Sequence, residues 1–96
     1  RFVILHTNWR HSHYEIDIIA HREDILHFIE VKTRRSLKFG YPEESVTKKK
    51  LENLMNGAEA FLCQNPQWKR IQYDILSVNL WKNRDPEYFF IEDVYL

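Results

Sequence analysis

The chain has 96 residues, and its 14 Lys and Arg are balanced by 14 Asp and Glu, so the global basicity of many nucleic-acid binders is excluded and electrostatic arguments rest on local patches. A hydrophobic content of 44% is enough for one core in a single domain over residues 1–96, but leaves little room for an elaborate internal pocket, which places any ligand at the surface. One cysteine excludes an intrachain disulfide framework, and the lack of a secretory leader or long apolar stretch reads as a cytoplasmic chain with no membrane partner.

In chain order, Phe2–Leu5 predicts a first strand and Asn8–His13 a polar turn. The runs Ile16–Ala20 and Ile25–Val31 predict neighbouring strands, since both are rich in β-branched residues and the four residues between them are mostly charged. Ser36–Glu44, with Gly40 and Pro42, predicts a loop. Leu51, Leu54, Met55, Ala58, Phe61 and Leu62 recur at helical spacing, with Thr47 as N-cap, Val46 stapled against Leu51, and Asn65-Pro66 as the stop. Ile71–Leu80 and Tyr88–Tyr95 predict two more strands, joined by a polar turn at Lys82–Glu87. The expected fold is α/β, a mixed sheet of about five strands flanked by one long helix.

Charges on the two central strands are the chemically informative feature. Glu15-Ile-Asp17 and Glu30-Val-Lys32 each place two charged side chains on one face of a strand, because residues two apart point the same way. A hairpin loop with an even number of residues would set Asp17 across from Glu30 and Glu15 across from Lys32, so that all four converge. Three acids beside one lysine are costly to desolvate unless a cation compensates them, and a hard divalent ion, Mg²⁺ or Mn²⁺, suits carboxylate oxygens. The lysine is then left to orient a water or to stabilise charge on a phosphoryl oxygen. The competing reading is a structural ion-pair network around Lys32.

An Asp on one strand followed by Glu-x-Lys on the next resembles the PD-(D/E)xK nuclease core of restriction enzymes and archaeal Holliday-junction resolvases. Glu15-Ile-Asp17-Ile-Ile-Ala, Phe28-Ile-Glu30-Val-Lys32-Thr-Arg34, Phe39-Gly40-Tyr-Pro42 with the following Ser-Val-Thr-Lys, Tyr73-Asp74 and the closing Ile91-Glu-Asp-Val-Tyr together resemble the YraN-like family of small bacterial proteins. The resemblance implies a restriction-endonuclease-like core and metal-dependent hydrolysis of nucleic-acid phosphodiesters, DNA before RNA and branched DNA in repair or recombination among the candidate substrates. Asp17 and Glu30 would be metal ligands with the Val31 carbonyl as a third, Lys32 would act on the water, and Glu15 would be an accessory acid. The alternative is a non-catalytic nucleic-acid-binding or repair-accessory module on the same fold. Where the family pattern has a glycine, this chain has Tyr14, and the family's N-terminal helix with its acidic residue is expected to be missing here. Monomer and homodimer both stay open.

Two basic patches flank this motif. Lys32, Arg34, Arg35 and Lys38 lead from the site strand into the Gly40 loop, where arginines could clamp a backbone phosphate bidentately. Lys48, Lys49 and Lys50 occupy the first helical turn, where the macrodipole favours anions and a bound phosphate would relieve the mismatch. Solvated surface lysines are the plainer reading of both patches. Plain readings also suit the remaining residues: His11 and His13 as turn residues without a third metal ligand, His27 as a satisfied core histidine, Cys63 as a buried or partly buried small hydrophobe, and Trp9, Trp68 and Trp81 as packing aromatics rather than base-stacking platforms. Asp74 fits either support near the site or a structural ion pair.

Overall fold

A computed structural model describes residues 1–35 and 48–94. Its strands are β1 (Val3–His11), β2 (Tyr14–Arg22), β3 (Ile25–Arg35), β4 (Arg70–Trp81) and β5 (Arg84–Ile91), with one helix, α1 (Lys48–Gln64), between β3 and β4. They form a mixed sheet in the order β1-β2-β3-β4-β5, in which β3 and β4 run parallel across the helical connection and every other neighbouring pair is antiparallel. This is the expected α/β architecture, consistent with a restriction-endonuclease-like core.

Both hairpins at the start of the chain turn on two residues. Arg22 pairs with Ile25 around Glu23-Asp24, and His11 pairs with Tyr14 around Ser12-His13, with Glu23 and Ser12 in the left-handed region at φ 58°. The second of these overturns the expected turn at Asn8–His13: only Ser12 and His13 turn, and Asn8 to His11 continue β1. Polar side chains there are tolerated because β1 is an edge strand with mostly exposed residues, and Asn8 accommodates φ 53°, which asparagine does more readily than most residues. The last strand also begins earlier than expected, at Arg84, leaving Lys82-Asn83 as the turn. Its polar start lies on the open edge, where Pro86 costs no ladder bond and Arg84 stacks its guanidinium 4.3 Å from the Trp81 ring centroid. Arg34 and Arg35, beyond the expected end of the strand at Val31, are the last residues of β3.

The helix spans Lys48–Gln64, as its apolar spacing predicts; its proposed cap Thr47 and staple Val46, the Ser36–Glu44 loop with Lys38, and Tyr95 lie outside the described residues. Leu54, Ala58 and Phe61 present one stripe to Ile16, Ile19, Leu26 and Phe28 of the sheet, with Trp9, Leu51, Leu62, Trp68 and Tyr73 around them. Trp9 meets Phe61 edge-on at 5.3 Å, so it serves the core as expected. Cys63 is exposed, contrary to expectation, since two residues beyond Phe61 amounts to about 200° of helical rotation and points it away from the sheet. Gly57 sits where α1 comes closest to β2: a Cβ there would lie 3.3 Å from both Ile16 Cγ1 and Tyr14 Cβ. The small residue that lets the strand carry Tyr14 is therefore on the helix.

Candidate functional site

The β2–β3 ladder runs from Arg22↔Ile25 to Ile18↔Ile29 and ends just short of the expected pairs, Asp17 with Glu30 and Glu15 with Lys32. Instead of a further ladder bond, the Asp17 carboxylate reaches across and its Oδ2 accepts the Val31 N–H at 2.8 Å. The acid of one strand is thus anchored inside the Glu30-Val31-Lys32 run of the next. Glu30 lies two residues beyond Phe28, which packs on Phe61 of the helix, so Glu30 faces the helix side of the sheet.

Glu30 is half-buried, and its carboxyl is held above the usual value of 4.5, first by desolvation and then by the neighbouring Asp17 charge, with a smaller push from Glu15. Lys50 and Lys32 pull in the opposite direction without cancelling the rise. Asp17, Glu15, Lys32 and Lys50 therefore all act electrostatically on one carboxylate. Glu15 also meets Arg10 of β1 at 3.5 Å, an exposed ion pair that contributes little to stability.

Because the folded value of Glu30 lies above the unfolded value of 4.5, the folded chain holds the extra proton, and stability falls as pH rises from about 4.5 through the folded value. Glu30→Gln should therefore raise the urea midpoint at pH 7 and lose this advantage near pH 4, where the wild-type side chain is itself protonated. Equal midpoints at both pH values would show that the charge is not strained.

A cleft of about 190 Å³ opens beside Glu30 and is lined by His13, Tyr14, Glu15, Glu30, Lys50, Asn53 and Leu54. Lys50 and Asn53 come from the first turns of α1, while His13 comes from the β1–β2 turn and Tyr14 from the start of β2. The helix residues were legible in principle: Lys50, Leu54 and Gly57 are spaced four and three apart, so the sheet-facing stripe extends back toward Lys50, which is exposed like Lys48 and Lys49.

The other face of the sheet carries a second polar pair. His27 alternates with Phe28 and so points away from the helix, where its Nδ1 lies 2.6 Å from Asp74 Oδ2; the two side chains are 1% and 0% exposed. Asp74 Oδ1 also accepts from Gln72 Nε2 at 3.0 Å and from the Asp93 backbone N–H at 2.9 Å. This resolves the two readings of Asp74 in favour of a structural role, because it lies across the sheet from Glu30. His27 is only half satisfied among the described residues, where its Nε2 is buried without a hydrogen-bond partner and the edge-on Phe2 ring lies 4.8 Å away. His11 and His13 make separate contacts, with Gln64 and Ser12.

No group of three or more His, Cys, Asp or Glu side chains suited to a metal occurs among the described residues. A hard divalent ion nevertheless fits what is present, since such ions often take only one or two carboxylates and keep several waters. A cation would also relieve the Glu30 carboxylate, whose ionised form is disfavoured by burial and by Asp17.

A single mixed sheet with a parallel pair across one helix, and a carboxylate bound into a Glu-x-Lys strand, defines a small α/β protein with a restriction-endonuclease-like core. The family model described as "Uncharacterised protein family UPF0102" matches residues 1–78, and the chain belongs to that family. It is 43% identical over 83 residues to a UPF0102 protein of Dictyoglomus thermophilum, covering 85% of this chain and 70% of the relative. A UPF0102 protein of Chloroherpeton thalassium is 34% identical over 102 residues, covering 98% and 79%, and one of Dictyoglomus turgidum is 47% identical over 81 residues, covering 82% and 68%. No helix among the described residues is long and apolar enough to cross a membrane.

Proposed function

We propose that this domain hydrolyses nucleic-acid phosphodiesters with Mg²⁺ or Mn²⁺, and that Asp17, Glu30 and Lys32 carry the reaction. The observation that carries this reading is the 2.8 Å bond from the Val31 N–H to Asp17, which holds one candidate ligand beside the next and fixes the orientation of its carboxylate. Asp17 and Glu30 supply the hard oxygen donors, with the Val31 carbonyl as a third. The bound ion would lower the pKa of a water and neutralise charge on a phosphoryl oxygen. Lys32, two residues from Glu30 on the same strand face, orients that water and stabilises charge on the phosphoryl group. Glu15 is an accessory acid at the rim.

The direct test is incubation with single-stranded, duplex and branched DNA and with RNA, in Mg²⁺ or Mn²⁺ and in chelator. Metal-dependent cleavage of any of them supports the proposal, and no cleavage of the whole panel rejects it. A nucleic-acid-binding accessory module is the second reading, favoured by the absence of a three-side-chain ligand group among the described residues. Binding without cleavage would identify it.

Arg34 and Arg35 at the end of β3, and the exposed Lys48 and Lys49 at the start of α1, are the proposed phosphate contacts. Replacing either pair with alanine should weaken binding to all sequences alike. It should also flatten the dependence of log K on log salt by roughly 1.5–2 if both residues touch duplex phosphates, as each contact contributes about 0.9. Unchanged slopes in both double variants would mean solvated patches.

A further inference from the structure

We propose that the cleft between the β1–β2 turn and the start of α1 is a subsite for one unpaired nucleobase beside the scissile phosphodiester, so that the preferred substrate is single-stranded nucleic acid or the single-stranded part of a branched one. The inference rests on the hydrolytic reading only for the word scissile; the base-binding chemistry stands separately.

Size is the first argument. At about 190 Å³ the cleft is smaller than the roughly 300–1,000 Å³ pockets that enclose drug-sized ligands, which suits one base and not a segment of duplex. Its wall is the second. His13 and Tyr14 both line the cleft and their ring centroids lie 4.1 Å apart at 39°, so two neighbouring aromatic side chains border whatever enters. Aromatic surfaces of this kind hold unpaired bases without regard to sequence, because every base has a π-face.

Charge is the third argument. Glu15 and Glu30 face Lys50 across the cleft, so among the described residues its lining carries no surplus positive charge and is ill-suited to a phosphate. A base is neutral, and its amino groups can donate to the carboxylates while its ring nitrogens and carbonyls accept from Lys50 and Asn53. A base stacked within a duplex cannot reach such a site without leaving its stack, which costs a few kcal/mol, least for a nucleotide already unpaired. Since Glu30 belongs both to this cleft and to the proposed metal ligands, a base held here brings its own backbone to the reacting centre.

The test is fluorescence anisotropy in chelator with a labelled single-stranded DNA dodecamer, the RNA of the same sequence and the corresponding DNA duplex. The wild type should bind a single strand more tightly than the duplex. His13→Ala and Asn53→Ala, both at exposed positions and so expected to fold, should each lower single-strand affinity roughly fivefold or more while leaving duplex affinity little changed. Loss with DNA alone or RNA alone supports the inference and names the strand served. A wild-type preference for duplex, no measurable single-strand binding, or equal losses on both forms overturns it. A chain that binds single strands through His13 but never cuts keeps this inference and loses the hydrolytic reading. One that cuts duplex while both variants behave as wild type does the reverse.

Discussion

Asp74→Ala is expected to remove about 1–3 kcal/mol of stability, the usual cost of leaving a buried hydrogen-bonding partner unsatisfied, from a domain whose total lies in the range of about 5–15 kcal/mol. The carboxylate is fully buried and holds His27, Gln72 and the Asp93 backbone, so its removal strands the buried His27 ring nitrogen and removes one of the bonds that tie the segment after β5 to β4. Urea unfolding of the two chains measures the difference directly. Asp24→Ala is the control, because its ion pair with Arg70 is exposed and should contribute little. A loss for Asp74→Ala no larger than that of the control would mean that the pair is dispensable.

For the proposed chemistry, Asp17→Ala and Glu30→Ala should abolish Mn²⁺ binding in calorimetric titration, whereas Lys32→Ala should retain it. All three should lose cleavage. Lys32→Ala is expected to lower kcat roughly 10²–10³-fold, the scale observed when one preorganised stabiliser of transition-state charge is removed. Asp17→Ala additionally frees the Val31 N–H, so Asp17→Asn, which keeps a side-chain acceptor for it, separates the loss of charge from the loss of that hydrogen bond. If Asp17→Asn binds Mn²⁺ as the wild type does, Asp17 is a structural brace and not a ligand. If wild type and both acid variants respond alike to metal, the carboxylates form a structural network.

Much of this domain was legible in its sequence because the governing signals are local. Leu54, Ala58 and Phe61 mark the sheet-facing stripe of α1 by helical spacing alone, and Asn65-Pro66 marks its end. The charged break at Glu23-Asp24 fixes an even loop, from which the register of β2 on β3 as far as Ile18↔Ile29 follows by counting. Edge strands were harder. Apart from Trp9, the segments Asn8 to His11 and Arg84 to Glu87 are mostly polar because one or both faces meet solvent, and polarity in a strand cannot be told from polarity in a turn until the partner strand is known.

The sequence by itself determined the order of the elements, the family and the register of β2 on β3, since all three depend on residue types at fixed spacing. Tertiary structure decided what those residues face. It placed His27 and Asp74 together though they lie 47 positions apart, on the sheet face away from Glu30, and it brought Lys50 and Asn53 to the cleft beside Glu15 and Glu30. It also turned Asp17 from one of several carboxylates into the one bound to the Val31 backbone. The physical reason is that periodicity defines a face, but only packing against other elements decides which face becomes buried, which charges are desolvated together, and which gap stays open to a ligand.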